Sequence, residues 1–144
     1  MVLVALGFQV TFDALDPGRQ AGFWALALGY ELEPPPPGFT TWEEFGERIG
    51  MPPERWGDLA AVVAPDRDRP RLLFQRVPED KAAKNRVHLD VHVDGPRDEG
   101  RWERVTAHVR LLVEAGATLV AERHENIGDW VVLLDPEGNE FCVQ

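Results

Sequence analysis

His88, Asp90 and His92 alternate in the stretch RVHLDVHV (86–93): an imidazole, a carboxylate and a second imidazole at every other residue. In an extended chain that spacing puts all three on one face and Val87, Leu89, Val91 and Val93 on the other. Two chemistries follow from these residue types. A carboxylate beside an imidazole orients it, and a histidine near its ordinary pKa of about 6.5 transfers protons at neutral pH. The same groups also bind metals. Positions 88 and 92, however, lie about 13 Å apart along a strand, and zinc–nitrogen bonds of about 2.0–2.1 Å do not let both rings share one ion. Asp90 with either histidine supplies only two donors. Acid–base work by His88 and Asp90 is therefore the expectation, beside the plainer alternative that the three residues satisfy neighbouring groups around a wet cavity.

A pattern that occurs twice in the chain must position that strand. In residues 6–13, Leu6, Phe8, Val10 and Phe12 alternate with Gly7, Gln9, Thr11 and Asp13, the period of a half-buried strand. Asp16-Pro17 then offers an N-cap and a proline suited to the first helical position. The helix runs through GRQAGFWALAL to a stop at Gly29, and Tyr30-Glu31-Leu32 returns as a strand. In the second half the strand 86–93 leads through Asp94-Gly95-Pro96 into a helix with Trp102, Val105, Val109 and Leu112 at helical spacing. That helix stops at Gly116 and is followed by a strand from Thr118. Each half closes with two more strands: 60–64 and 71–77 in the first, 129–134 and 140–144 around the turn DPEGN in the second. His124 is placed in the turn before 129–134, and His108 on the charged side of its helix.

The 144 residues carry a formal charge of -10 and no basic run, which argues against nucleic acid as a partner. MVLVALGFQV is too short to span a bilayer and lacks a charged n-region, so it reads as the lead-in to a strand, with no membrane partner. Cys142 is the single cysteine, and a reducing cytoplasm is the expected location. A lone thiol behaves more as a small hydrophobe than as a nucleophile. Between Glu33 and Leu59 lies an insertion (34–58) opened by four prolines. It has capping-box spacing from Thr41 to Glu44, and it carries Trp42 and Trp56. Those rings, with Trp130 at the start of a later strand, suit contact with an organic molecule. Anchoring of the insertion to the sheet is the alternative.

Paired β-α-β-β-β units with Asp16-Pro17 before FWALALGY (23–30), KNRVHLDVHV (84–93), the Ala115-Gly116-Ala117 stop and DPEGNEFCV (135–143) resemble the vicinal oxygen chelate superfamily, in its glyoxalase-like, bleomycin-resistance-like branch. The resemblance implies an α+β fold within one domain, 1–144. Its first unit spans about 4–78, with the lid-like insertion, and its second about 85–144; their curved sheets enclose one cavity. It also implies a homodimer. In metal-dependent members four inward positions hold a divalent ion, and the matching residues here are Gln9, Gln75, His88 and Cys142. Only His88 belongs to the usual ligand set, because neutral amides bring no charge to offset the cation. The expectation is a small-molecule-binding protein without an essential metal or other cofactor, sequestering its ligand or acting as a lyase or isomerase. His88 and Asp90 would be catalytic, and Gln9, Gln75, His88, Cys142, Trp42, Trp56 and Trp130 would touch the ligand. The alternative is a divalent-metal-dependent enzyme of glyoxalase or ring-cleaving dioxygenase type.

Overall fold

A computed structural model describes Met1 and residues 4–144. Val2 and Leu3, part of the expected lead-in, lie outside the described residues. The chain divides into two compact units: Met1–Ala25 with Gly29–Pro78, and Leu26–Leu28 with Glu79–Gln144.

The first unit is built from β1 (Val10–Ala14), α1 (Pro17–Leu28), β2 (Glu31–Leu32), β3 (Leu59–Val63) and β4 (Leu72–Arg76). Its sheet has the order β1-β4-β3-β2, with β1 and β4 parallel and the other pairs antiparallel. The Asp16 carboxylate accepts the amide of Arg19 at 3.1 Å, so α1 starts where the N-cap signal placed it. It ends at Gly29, whose φ of 66° is left-handed and inexpensive only for glycine. Phe12 packs its ring 5.3 Å from Trp24 and 5.2 Å from Phe74, and both partners are buried. The first strand is shorter than the alternation predicts. β4 offers partners only from Leu72, opposite Val10, so residues 4–9 form no strand, and Leu6 and Phe8 are exposed.

The insertion forms α2 (Trp42–Arg48) and a 3-10 turn at Pro53–Arg55. Thr41 Oγ1 accepts from the Glu44 amide at 3.2 Å and Glu44 Oε2 accepts from the Thr41 amide at 3.3 Å, the reciprocal cap expected there. Trp56 lies against Gly46, where a β-carbon would stand 2.6 Å from the indole nitrogen. Only glycine lets the ring approach so closely.

The second unit repeats the order with β5 (Asp90–Val91), α3 (Arg101–Glu114), β6 (Thr118–Glu125), β7 (Gly128–Leu134) and β8 (Glu140–Val143). Its sheet runs β5-β8-β7-β6, with β5 parallel to β8. Val105, Val109 and Leu112 of α3 are buried, and so are Val91, Val131, Leu133, Phe141 and Val143 of the sheet. Both units thus have the α+β, two-fold β-α-β-β-β construction.

Three expectations are corrected here. The strand 86–93 shrinks to Asp90–Val91, because β8 supplies partners only there, and Val87 is 78% exposed instead of sharing the buried face. His124 lies inside β6 opposite Asp129, and the hairpin turns at Asn126–Ile127. His108 is half-buried, with Nε2 2.9 Å from the Ala27 carbonyl oxygen; a carbonyl only accepts, so that nitrogen carries the hydrogen.

Candidate functional site

The face of the second sheet away from Phe141 and Val143 carries the candidate residues Asp90, Cys142 and Trp130. Asp90 is opposite Cys142 in the parallel ladder, and Cys142 is opposite Val132 in the antiparallel one. Alternation along β7 puts Trp130 on that same face, two residues from Val132. His88 lies just ahead of β5, with Nδ1 2.9 Å from Asp90 Oδ1. The ligand atoms of His88, Asp90 and Cys142 all lie within 4.8 Å of one another. Spacing pairs His88 with Asp90 and the family resemblance groups His88 with Cys142, but the register that joins Asp90 to Cys142 has no local signature. His92 is engaged separately, with Nε2 2.8 Å from the Gln144 amide nitrogen.

Burial, and then the Asp90 carboxylate, pushes the Cys142 thiol up to about 11. The thiol donates a hydrogen bond to Asp90, which also disfavours the thiolate. Alkylation of Cys142 by iodoacetamide near pH 7.5 is therefore expected to run about a hundred-fold slower than for a free cysteine, for want of thiolate. Asp90→Asn removes the repulsion and should speed the reaction. An unchanged rate in that variant, followed by mass spectrometry, would contradict the geometry.

The first unit holds the other residues singled out. Gln9 precedes β1, and its amide meets Arg71 at 3.2 Å and Thr11 at 3.4 Å. Gln75, on β4, donates to Asp13 Oδ1 at 2.8 Å. Because Gln75 is opposite Asp13, Gln9 stands four residues, about 13 Å, down the ladder from it. The two amides cannot meet at one ion. The implied quartet of Gln9, Gln75, His88 and Cys142 thus fails as a hard-cation site: two members are neutral, engaged elsewhere and too far apart. Asp13, Thr11 and Arg71 were missed by the sequence reading, although Thr11 and Asp13 share the polar face of the alternation that contains Gln9.

Trp42 and Trp56 are both tethered. Trp42 donates from Nε1 to the Glu33 carbonyl at 3.0 Å, and Trp56 to that of Met51 at 3.0 Å. Trp42 keeps 43% of its surface exposed and makes an edge contact with Phe45 at 5.9 Å. Trp42 thus ties the insertion to the residue that follows β2, whereas the partner of Trp56 lies within the insertion itself.

A cleft of about 390 Å³ in the second unit lies elsewhere, lined by Arg97, Arg101, Trp102, Ile127 and Asp129 among others. Beside it, His124 Nδ1 donates to Asp129 Oδ1 at 2.8 Å, and its ring centroid is 4.8 Å from that of Trp102. The hydrogen bond to Asp129, with help from Glu122, raises the His124 pKa against the opposing effect of desolvation. The folded value lies above the unfolded one, so this contribution to stability is present at low pH and is lost as pH rises through the raised value. An NMR titration should show the His124 pKa falling toward its ordinary value in Asp129→Asn.

The comparisons bear on the whole arrangement. The family model of the glyoxalase-like domain matches residues 9–144. The chain belongs to this family. Among solved structures, this glyoxalase-like chain is similar to a glyoxalase/bleomycin resistance/dioxygenase family enzyme from Burkholderia phytofirmans, at 19% identity and TM-score 0.64 over 94% of each chain. It is also similar to the bleomycin-binding protein of Streptomyces verticillus, crystallised with copper(II)-bleomycin: 18% identity, TM-score 0.56, 99% of this chain and 98% of that one. A third likeness is to the fosfomycin resistance protein FosX of Listeria monocytogenes, complexed with manganese(II) and a dihydroxypropylphosphonic acid: 9% identity, TM-score 0.64, 99% and 90% covered. At these identities the structures speak for the fold alone. No curated protein matches the chain.

Proposed function

We propose that this glyoxalase-like domain binds a small organic molecule against the face that carries His88, Asp90, Cys142 and Trp130, without an essential hard divalent cation. One observation carries the reading: the 2.9 Å bond between His88 Nδ1 and Asp90 Oδ1. A carboxylate accepting from Nδ1–H fixes the tautomer and leaves Nε2 as a base, the arrangement needed for lyase- or isomerase-type proton transfer. Trp130 supplies flat apolar area, and Cys142, as a neutral thiol, a soft wall. Related folds hold bleomycin and a phosphonic acid, which supports an organic ligand as the class. No helix among the described residues is long and apolar enough to cross a membrane. A cytoplasmic setting and a homodimer complete the proposal, the latter to be read by sedimentation.

The test is a melting screen against a panel of phosphonates, vicinal diols, α-ketoaldehyde adducts and glycopeptide drugs. A compound at a hundred times its Kd should stabilise the protein by about 2.7 kcal/mol. That shift should shrink in His88→Ala and Trp130→Ala. A panel without a single shift, or shifts that both variants retain in full, would refute the proposal.

A further inference from the structure

We propose that the cleft between the start of α3 and the β6–β7 hairpin is a second binding site, built for a small zwitterion with an apolar side chain, the chemistry of a free apolar α-amino acid. The cleft lies on the other face of the sheet from His88, Cys142 and Trp130. Asp129, which lines it, shares a strand face with the buried Val131 and Leu133, against which α3 packs, whereas Trp130 shares the face of Cys142. The inference therefore does not depend on the organic-ligand reading.

At about 390 Å³ the cleft stands at the small end of the roughly 300–1,000 Å³ in which ligand pockets occur. Its apolar lining is Trp102, Val105 and Ile127, of which Val105 is buried, Trp102 half-buried and Ile127 exposed. Charged groups complete the lining, and most of them are already engaged. Asp98 accepts from Arg104 at 3.1 Å and from the Gly100 amide at 3.0 Å. Asp129 is held by His124 at 2.8 Å, and Arg101 gives one amino group to the Gln144 carbonyl at 3.0 Å. Two charged side chains remain. Among the described residues, neither Arg97 nor Glu99 makes an ion pair or a side-chain hydrogen bond.

One unpaired cation and one unpaired anion, two residues apart beside apolar surface, set the ligand class. A guanidinium takes a carboxylate through two parallel N–H bonds, and Arg101 keeps further N–H donors for the same group. Glu99 takes an ammonium. The apolar side chain of the ligand covers Trp102 and Ile127. A ligand with a negative charge alone meets Glu99 as well as Arg97, and one with a positive charge alone meets Arg97 as well as Glu99. Only a molecule with both charges matches both residues. Their loop is also set in advance: Arg104 donates to the Asp94 carbonyl at 3.2 Å, to the Pro96 carbonyl and to Asp98. Little of the binding energy is then lost in ordering the segment that carries Arg97 and Glu99.

The experiment titrates nitrogen-labelled full-length protein with L-phenylalanine and L-leucine, followed by NMR. Phenylpropanoate and phenethylamine serve as probes that each lack one of the two charges. The amino acids should shift the amide signals of Gly128 and Asp129 and the indole signal of Trp102, saturating in the millimolar range expected of ligands so small. Each single-charge probe should bind about ten-fold more weakly than L-phenylalanine, the value of one hydrogen-bonded charge pair. Arg97→Gln and Glu99→Gln should each weaken L-phenylalanine by a similar factor. Both residues are exposed, and circular dichroism establishes that each variant is folded before it is scored. No shift with either amino acid at tens of millimolar would overturn the site, and so would equal binding of the three phenyl probes or unchanged affinity in both variants. Shifts confined to the surroundings of His88 and Trp130 would place the probes on the other face and overturn it too. The compound panel is scored through His88→Ala and Trp130→Ala on that other face, so the two proposals fail separately.

Discussion

Replacing Trp24 with alanine should lower the unfolding free energy by about 3–5 kcal/mol, the usual range for deleting a buried aromatic ring. Trp24 is only 1% exposed and stands within 5.6 Å, centroid to centroid, of both Phe12 and Phe23. Its loss leaves a cavity that the sheet cannot collapse into, because Phe12 is itself held against Phe74 on β4. Against a total stability of about 5–15 kcal/mol for an ordinary domain, a change of that size leaves a narrow margin. Urea unfolding measures it directly. Trp24→Phe, which keeps most of the apolar area, should cost less than half as much. Equal losses for the two variants would mean that the ring's volume is not what matters there.

The second large effect is expected at the other end of the chain. Asp135 is 2% exposed, and its Oδ1 accepts from the amides of Glu137 at 2.9 Å and Asn139 at 3.0 Å. The Asn139 side chain adds a further bond to Oδ2 at 2.9 Å. Asp135→Ala strands three donors in a turn that also needs the left-handed backbone of Gly138, with φ of 86°. A loss of roughly 2–4 kcal/mol follows, since bonds to a charged acceptor are each worth about 1.5–3 kcal/mol and part of the loss is recovered by water. Asp135→Asn retains one acceptor and should fall between the two. Because the turn joins β7 to β8, the damage should also loosen Cys142, seen as faster labelling of the thiol.

Much of this architecture could be read from local signals. The Asp16 cap, the Thr41–Glu44 box and the DPEGN turn each act through neighbours within four residues, so the residues themselves state the structure. Strand ends do not work that way. Alternation from Leu6 to Asp13 is unbroken, yet the strand begins at Val10 because that is where Leu72 begins to pair with it. His88 falls just outside β5, whose pairing with β8 is confined to Asp90 with Cys142 and Val91 with Val143. The candidate site shows the same divide. His88 and Asp90 are two residues apart and were legible as a pair, whereas Cys142 joins them through a ladder 52 positions away. The four-residue offset that separates Gln9 from Gln75 along the parallel ladder leaves no trace in composition.

The shortness of β5 has a consequence for how this face behaves. It is a two-residue strand at the outer edge of its sheet, held on one side by β8, while Cys142 sits on β8 with neighbours on both sides. Amides in such margins open far more readily than those at the centre of a sheet. Half of the His88–Asp90–Cys142 group is therefore fastened and half is hinged. Any occupant that bridges the two halves should act as a clasp, slowing deuterium uptake around residues 88–92 while leaving β7 untouched.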